Sequence, residues 1–199
     1  MTFKTKFCRI EIEIVLIFII LTSIISNTLF KFLYYFFACY LFILFHELMH
    51  ILVGSILNRK LIKIKFSISG ICASFEKEKY LCSKIVCFKN IIIYLSGPIS
   101  NLILAYIFNT NMMIKEINIF LAILNFLPLF PLDGYNIILN ILKIIFEQKY
   151  VLKILNCIEN VFIIFVLAIS LYQIIEYSNF SIIIFFVYLF VLKINKKNS

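Results

Sequence analysis

Between Lys89 and Lys115 the chain carries no charged residue, and comparable apolar runs recur along most of its length. A helix rises about 1.5 Å per residue, so roughly 20 apolar residues cross the ~30 Å hydrocarbon core of a bilayer. In hydrocarbon the backbone must satisfy its own hydrogen bonds, which leaves helices as the spanning element for runs of this length. With 63% hydrophobic residues and a mean hydropathy of +1.06, too little of the 199 residues remains for a soluble domain of ordinary size. The expectation is an all-α polytopic membrane protein, one domain over residues 1–199, surrounded by the lipid bilayer.

Six spans are predicted, near residues 12–29, 32–57, 89–108, 117–146, 154–175 and 178–193. Their orientation follows from lysine and arginine, which are retained on the cytoplasmic side of short loops. Lys4, Lys6 and Arg9 precede the first span, and eight basic residues from Arg59 to Lys89 follow the second. Lys143, Lys149 and Lys153 surround the turn after the fourth, and Lys193, Lys196 and Lys197 close the chain. Only Lys31 and Lys115 fall on the other side, so both termini are expected in the cytoplasm. The +9 net charge is therefore a topology signal, and no nucleic-acid partner is expected. The first apolar run lacks a small-residue cleavage site and is read as a retained span. The six cysteines form no C-x-x-C pair and read as small apolar residues in a reducing setting.

Residues 58–88 differ from the spans. Leu61-Ile62-Lys63-Ile64-Lys65-Phe66-Ser67-Ile68-Ser69 alternates with period two, Gly70 permits a turn, and Ile71–Phe75 can return. This predicts a short β-hairpin on the cytoplasmic side between spans 2 and 3. Its edge could pair with an extended substrate segment.

The only two histidines stand in His46-Glu47-Leu48-Met49-His50. Residues four apart share a helix face, so both imidazoles can reach one metal ion, with Glu47 beside it as a proton acceptor. Such a face inside an apolar span is a functional-site hypothesis. Two histidines do not complete a catalytic zinc site, which ordinarily has three protein ligands and an open position. Asp133, the only aspartate, is the candidate third ligand. It follows Asn125-Phe126-Leu127-Pro128-Leu129-Phe130-Pro131-Leu132, where two prolines must interrupt regular helix, so the fourth span is predicted to be discontinuous. A third cluster, Ser96-Gly97-Pro98-Ile99-Ser100-Asn101, combines close helix approach at Gly97 with an intramembrane amide at Asn101. Asn101 reads either as an interhelical hydrogen bond or as a substrate or oxyanion contact. Both histidines, the aspartate, all three prolines and two of the four glycines fall in these clusters. A generic apolar bundle has no need of that concentration.

These motifs resemble the site-2 protease family of intramembrane zinc metalloproteases, most closely its stage IV sporulation type. H-E-x-x-H, S-G-P-x-x-N and N-x-x-P-x-x-P-x-D-G carry the resemblance across spans 2 to 4. It implies one zinc ion held by His46, His50 and Asp133, with Glu47 as catalytic acid and base. It further implies substrate contacts at Asn125, Pro128 and Pro131, and a cleft shaped by Asn101. The expected substrate is a membrane-tethered protein such as a pro-sigma or anti-sigma factor, in a bacterial cell membrane, with a separate membrane regulator possible. The chain departs from the sporulation type in having no room for a CBS domain, nor for a PDZ domain, and in carrying Tyr135 where many members have a second glycine. The alternative is a proteolytically silent zinc-binding scaffold or regulator, which needs the ligands but has no use for Glu47.

Overall fold

A bilayer inverts the usual relation between burial and polarity, and the helices follow the inverted rule. In the computed structural model, which describes residues 2–4, 9–12, 30–59, 61–67, 70–75, 84–178, 183, 187 and 193, large apolar side chains line the outside. Leu41, Phe45, Leu48, Leu52 and Ile56 of the first helix are exposed, as are Val161, Ile164, Phe165, Leu171 and Ile175 of the last long one. Polar groups are turned inward: His46, His50, Ser100, Asn101, Asn118, Asn140, Glu159 and Ser170 are all buried. An exposed apolar surface this continuous is stable only against lipid.

Five helices are described: α1 (Phe30–Ile56), α2 (Lys84–Ile107), α3 (Met112–Phe126), α4 (Asp133–Ile145) and α5 (Gln148–Tyr177). Among the described residues, three segments are long and apolar enough to cross a membrane: Phe37–Ile56, Lys84–Ile107 and Gln148–Glu176. At about 1.5 Å per residue, α3 and α4 reach only ~20 Å each and cannot cross singly. Residues 127–132 separate them without helix, where Pro128 and Pro131 remove two backbone donors. By contrast α2 runs unbroken through Pro98. It begins at Lys84 rather than near residue 89, and α5 begins at Gln148 rather than near residue 154. The first predicted span and nearly all of the last lie outside the described residues.

The ends of the helices have local causes. Asn58 takes a left-handed conformation (φ 59°), while the N–H of Asn58 bonds to Ser55 and that of Arg59 to Gly54. This pair of bonds stops α1 directly after Ile56, and asparagine tolerates the left-handed position it needs. Asn111 starts α3, its side-chain oxygen accepting from the Ile114 N–H at 3.2 Å.

A four-stranded sheet of order β1-β2-β3-β4 accompanies the helices. β1 (Thr2–Lys4) and β2 (Arg9–Ile12) are antiparallel, β2 and β3 (Leu61–Ser67) parallel, β3 and β4 (Gly70–Phe75) antiparallel. Only β3 and β4 correspond to the strands expected from sequence. The N-terminal residues, read there as a basic tail leading into a span near residue 12, contribute β1 and β2 instead. The alternation Arg9-Ile10-Glu11-Ile12 was the available signal, too short to stand alone. β4 is an edge strand of the sheet and packs along α1.

The chain forms two compact units. One comprises Met1–Leu81 and Leu95–Ala122, the other Cys82–Tyr94 and Ile123–Ser199. In the second, Tyr135 and Leu142 of α4 pack with Val151 and Leu155 of α5, and Leu129 of the proline loop packs with Val166.

Candidate metal centre

The first unit holds the histidine pair. Phe42, His46, His50 and Gly54 recur every four residues and form the buried stripe of α1. His46 and His50 are only 4% and 5% exposed. Their Nε2 atoms lie 3.1 Å apart and the rings meet edge to face, with centroids 4.7 Å apart. Two imidazole nitrogens bound tetrahedrally to one zinc at 2.0–2.1 Å are about 3.3 Å apart. The pair thus already has nearly the separation that a shared ion requires. Potential ligand atoms of His46, Glu47 and His50 all lie within 4.8 Å of one another. Glu47 is half-buried beside the pair, where its carboxylate can serve a water at the same ion. The residues present fit a zinc ion.

Helix α2 supports this pair. Ser96 Oγ lies 3.3 Å from His50 Nδ1. A proton on Nδ1 directed at this hydroxyl leaves the Nε2 lone pair free for a metal, which is the usual task of a second partner to a ligating histidine. Ser96→Ala should therefore weaken zinc binding about tenfold with the fold intact. Chelator competition on the purified protein, with thermal unfolding alongside, measures both. The next residue is glycine for a steric reason. A Cβ built on Gly97 would stand 2.5 Å from Cε1 and Nε2 of His50 and 2.6 Å from Nε2 of His46. The backbone of α2 thus lies against both ligand atoms.

Asn101 is fully buried one turn further along α2. Its Oδ1 faces the Ser100 hydroxyl at 3.5 Å, and Ser100 also donates to the Gly97 carbonyl at 2.6 Å. Among the described residues, the Nδ2 of Asn101 has no hydrogen-bond partner. Asn118 on α3 is likewise fully buried; its Nδ2 donates to the Ile114 carbonyl while its Oδ1 has no partner among the described residues. Each such orphan costs roughly 1–3 kcal/mol. Asn118 carries no motif, and sequence reasoning did not single it out.

The second unit holds Asn125, Pro128, Pro131 and Asp133. Asn125 stands in the last turn of α3 and is half-buried, Pro128 is buried, and Pro131 is exposed after a cis peptide bond. Asp133 is the first residue of α4, where a carboxylate complements the helix dipole. Gly134 is required next to it: a Cβ there would collide with the carbonyls of Phe126 and Leu127, across which the loop closes. Tyr135, in place of the second glycine, is buried and packs edge to face on Phe130 at 5.7 Å. Glu159 accepts the Phe130 N–H and pairs with Lys193 at 2.8 Å. A ladder of amides runs along α4. Asn136 donates to Leu132, Asn140 donates to Asn136, and Asn90 of α2 donates to Asn140.

No protein-family model and no curated protein matches the chain. Among solved structures it is similar to the site-2 protease from Methanocaldococcus jannaschii, with a TM-score of 0.65 over 96% of this chain and 92% of that one. The chain has the fold of that site-2 protease. At 22% identity the likeness concerns the fold, and the chemistry must be argued from the residues. Within the site-2 protease fold, the structure brings together His46, Glu47 and His50 with Ser96 and Gly97. It sets Asp133 at the start of a helix after a proline-interrupted segment.

Proposed function

We propose that this chain is a zinc-dependent intramembrane metalloprotease that cleaves a membrane-tethered protein. The observation that carries the reading is the convergence of two buried imidazole Nε2 atoms at 3.1 Å, with Glu47 beside them, on a helix apolar enough to cross a bilayer. The site-2 protease fold supports it. His46, His50 and Asp133 hold the ion. Zinc, when bound, supplies a Lewis acid that makes water nucleophilic near neutral pH. Glu47 takes a proton from the attacking water as its oxygen bonds to the scissile carbonyl carbon. Glu47 then delivers that proton to the amide nitrogen as the C–N bond breaks. Ser96 keeps the His50 ring oriented throughout. Asn125 and Asn101 are assigned to the developing oxyanion, and Pro128 and Pro131 to substrate contact.

A substrate helix shields its carbonyls by hydrogen bonding and must unwind locally before attack. Strand β4, at the sheet edge and packed along the metal-bearing helix, suits an unwound segment by adding backbone hydrogen bonds. The lysine distribution supports six spans, both termini and the β3–β4 hairpin on the cytoplasmic side of a bacterial membrane, with water entering from that side. The motif likeness to the sporulation type favours a pro-sigma or anti-sigma factor as substrate, and a separate membrane protein as regulator.

The test is co-expression of wild type and Asp133→Ala with tagged membrane-tethered pro-sigma and anti-sigma factors, with zinc content measured after purification. The expected result is a cleaved product and bound zinc with wild type, and neither with Asp133→Ala. Zinc in wild type without cleavage of any substrate, with or without candidate regulators, would favour the silent scaffold. Absence of zinc from wild type would remove the basis of the reading.

A further inference from the structure

Residues 127–132 must be held still without the help of a helix, because they deliver Asp133. Each of their backbone donors has a partner. Leu127 donates to Leu124, Leu129 to Leu127, and Leu132 to Leu129. Pro128 and Pro131 have no N–H. The remaining donor, Phe130, lies between the prolines and donates to Glu159 Oε1 of α5 at 3.2 Å. Its N–H reaches a side chain rather than a nearby carbonyl, and that side chain belongs to α5, a different helix from the two that flank the loop.

Glu159 is built for that position. It is 2% exposed, and both of its oxygens are used. Oε1 takes the Phe130 N–H, and Oε2 takes Lys193 Nζ at 2.8 Å. A carboxylate inside a membrane helix is unfavourable without a partner, and lysine supplies the opposite charge. The Lys193 side chain is 30% exposed and that of Glu159 3%. The neighbours on α5 complete the anchorage, since Val166 receives Leu129 and Phe162 and Ile163 pack alongside.

We infer that Glu159 is a positioning residue that fixes the proline loop, and through it Asp133, with Lys193 neutralising its buried charge. The inference rests on the reading of Asp133 as the third zinc ligand. Glu159 touches neither substrate nor metal. It acts by holding Phe130 three residues before the ligand, so that Asp133 is already ordered before an ion arrives.

The test uses the full chain in detergent or nanodiscs, with wild type, Glu159→Gln, Glu159→Leu and Asp133→Ala compared. Zinc affinity is read by competition with a chromogenic chelator, and integrity by thermal unfolding. Glu159→Gln keeps an oxygen for the Phe130 N–H and should bind zinc almost as wild type does. Glu159→Leu fills the same space without an acceptor. It should lose roughly 10- to 100-fold in zinc affinity while unfolding near the wild-type temperature. Wild-type affinity in Glu159→Leu overturns the proposal, and so does an equal loss in both variants that tracks a fall in unfolding temperature. Asp133→Ala separates the two readings. Undiminished zinc binding there defeats the ligand assignment itself, whereas a loss there without one in Glu159→Leu defeats only the positioning role.

Discussion

Gly97→Ala should yield a folded protein that cannot retain zinc. The added Cβ would meet the His46 and His50 rings at 2.5–2.6 Å, against the 3.4–4 Å of ordinary van der Waals contact. Gly97 is in the interior of α2, so its Cβ cannot move without moving the helix. The rings are the ends of side chains and can swing away. Helix packing therefore survives, and the approach of the two Nε2 atoms does not. Displacing a reacting group by about 1 Å costs on the order of 100-fold in rate, and losing both ligands costs the ion as well. Purified Gly97→Ala should contain little zinc and show at least ~100-fold slower cleavage, with an unfolding temperature near that of wild type. Full zinc content would mean that α2 does not lie against the histidines as described.

Glu47→Gln should do the reverse: zinc stays and cleavage goes. Glutamine preserves the shape of glutamate and removes its basicity. The proposed ligands are untouched, so metal content should match wild type. Removing a general base costs about 10²–10⁴-fold, equivalent to ~3–5 kcal/mol in the barrier. Single-turnover cleavage of a co-reconstituted substrate, paired with metal analysis, reads both quantities. This variant also separates a protease from a zinc-binding scaffold, because a scaffold has no use for the charge of Glu47. Unchanged cleavage in Glu47→Gln would remove glutamate from the chemistry.

Much of the candidate site could be read from local pattern. His46 and His50 are four residues apart in an apolar helix, and that spacing alone places them on one face. Pro128 and Pro131 forbid continuous helix, and the break between Phe126 and Asp133 lies where they stand. Gly97 signalled close approach, yet nothing nearby in sequence said that the neighbours would be the two histidine rings. Ser96 stood in the same motif without a role, because its partner His50 is 46 residues away. Glu159 and Lys193 had no motif, and 34 positions separate them. Strands β1 and β2 were missed because three or four residues carry too little periodicity to be recognised. β2 is held by pairing with β3, some fifty residues later, and β1 by pairing with β2.

The sequence by itself determined that the chain belongs in a bilayer, that regular helix breaks at Pro128 and Pro131, and that its only histidines share a helix face. These follow from rules acting over a few residues: hydrocarbon thickness, the missing proline N–H, and the 3.6-residue helical turn. Only the tertiary structure decided that Gly97 lies against the histidine rings, that Ser96 meets His50, that the amino terminus joins the sheet, and that Glu159 anchors the loop before Asp133. Those contacts join residues tens of positions apart. Their partners are chosen by which surfaces pack, a property of the whole fold that no short window of sequence encodes.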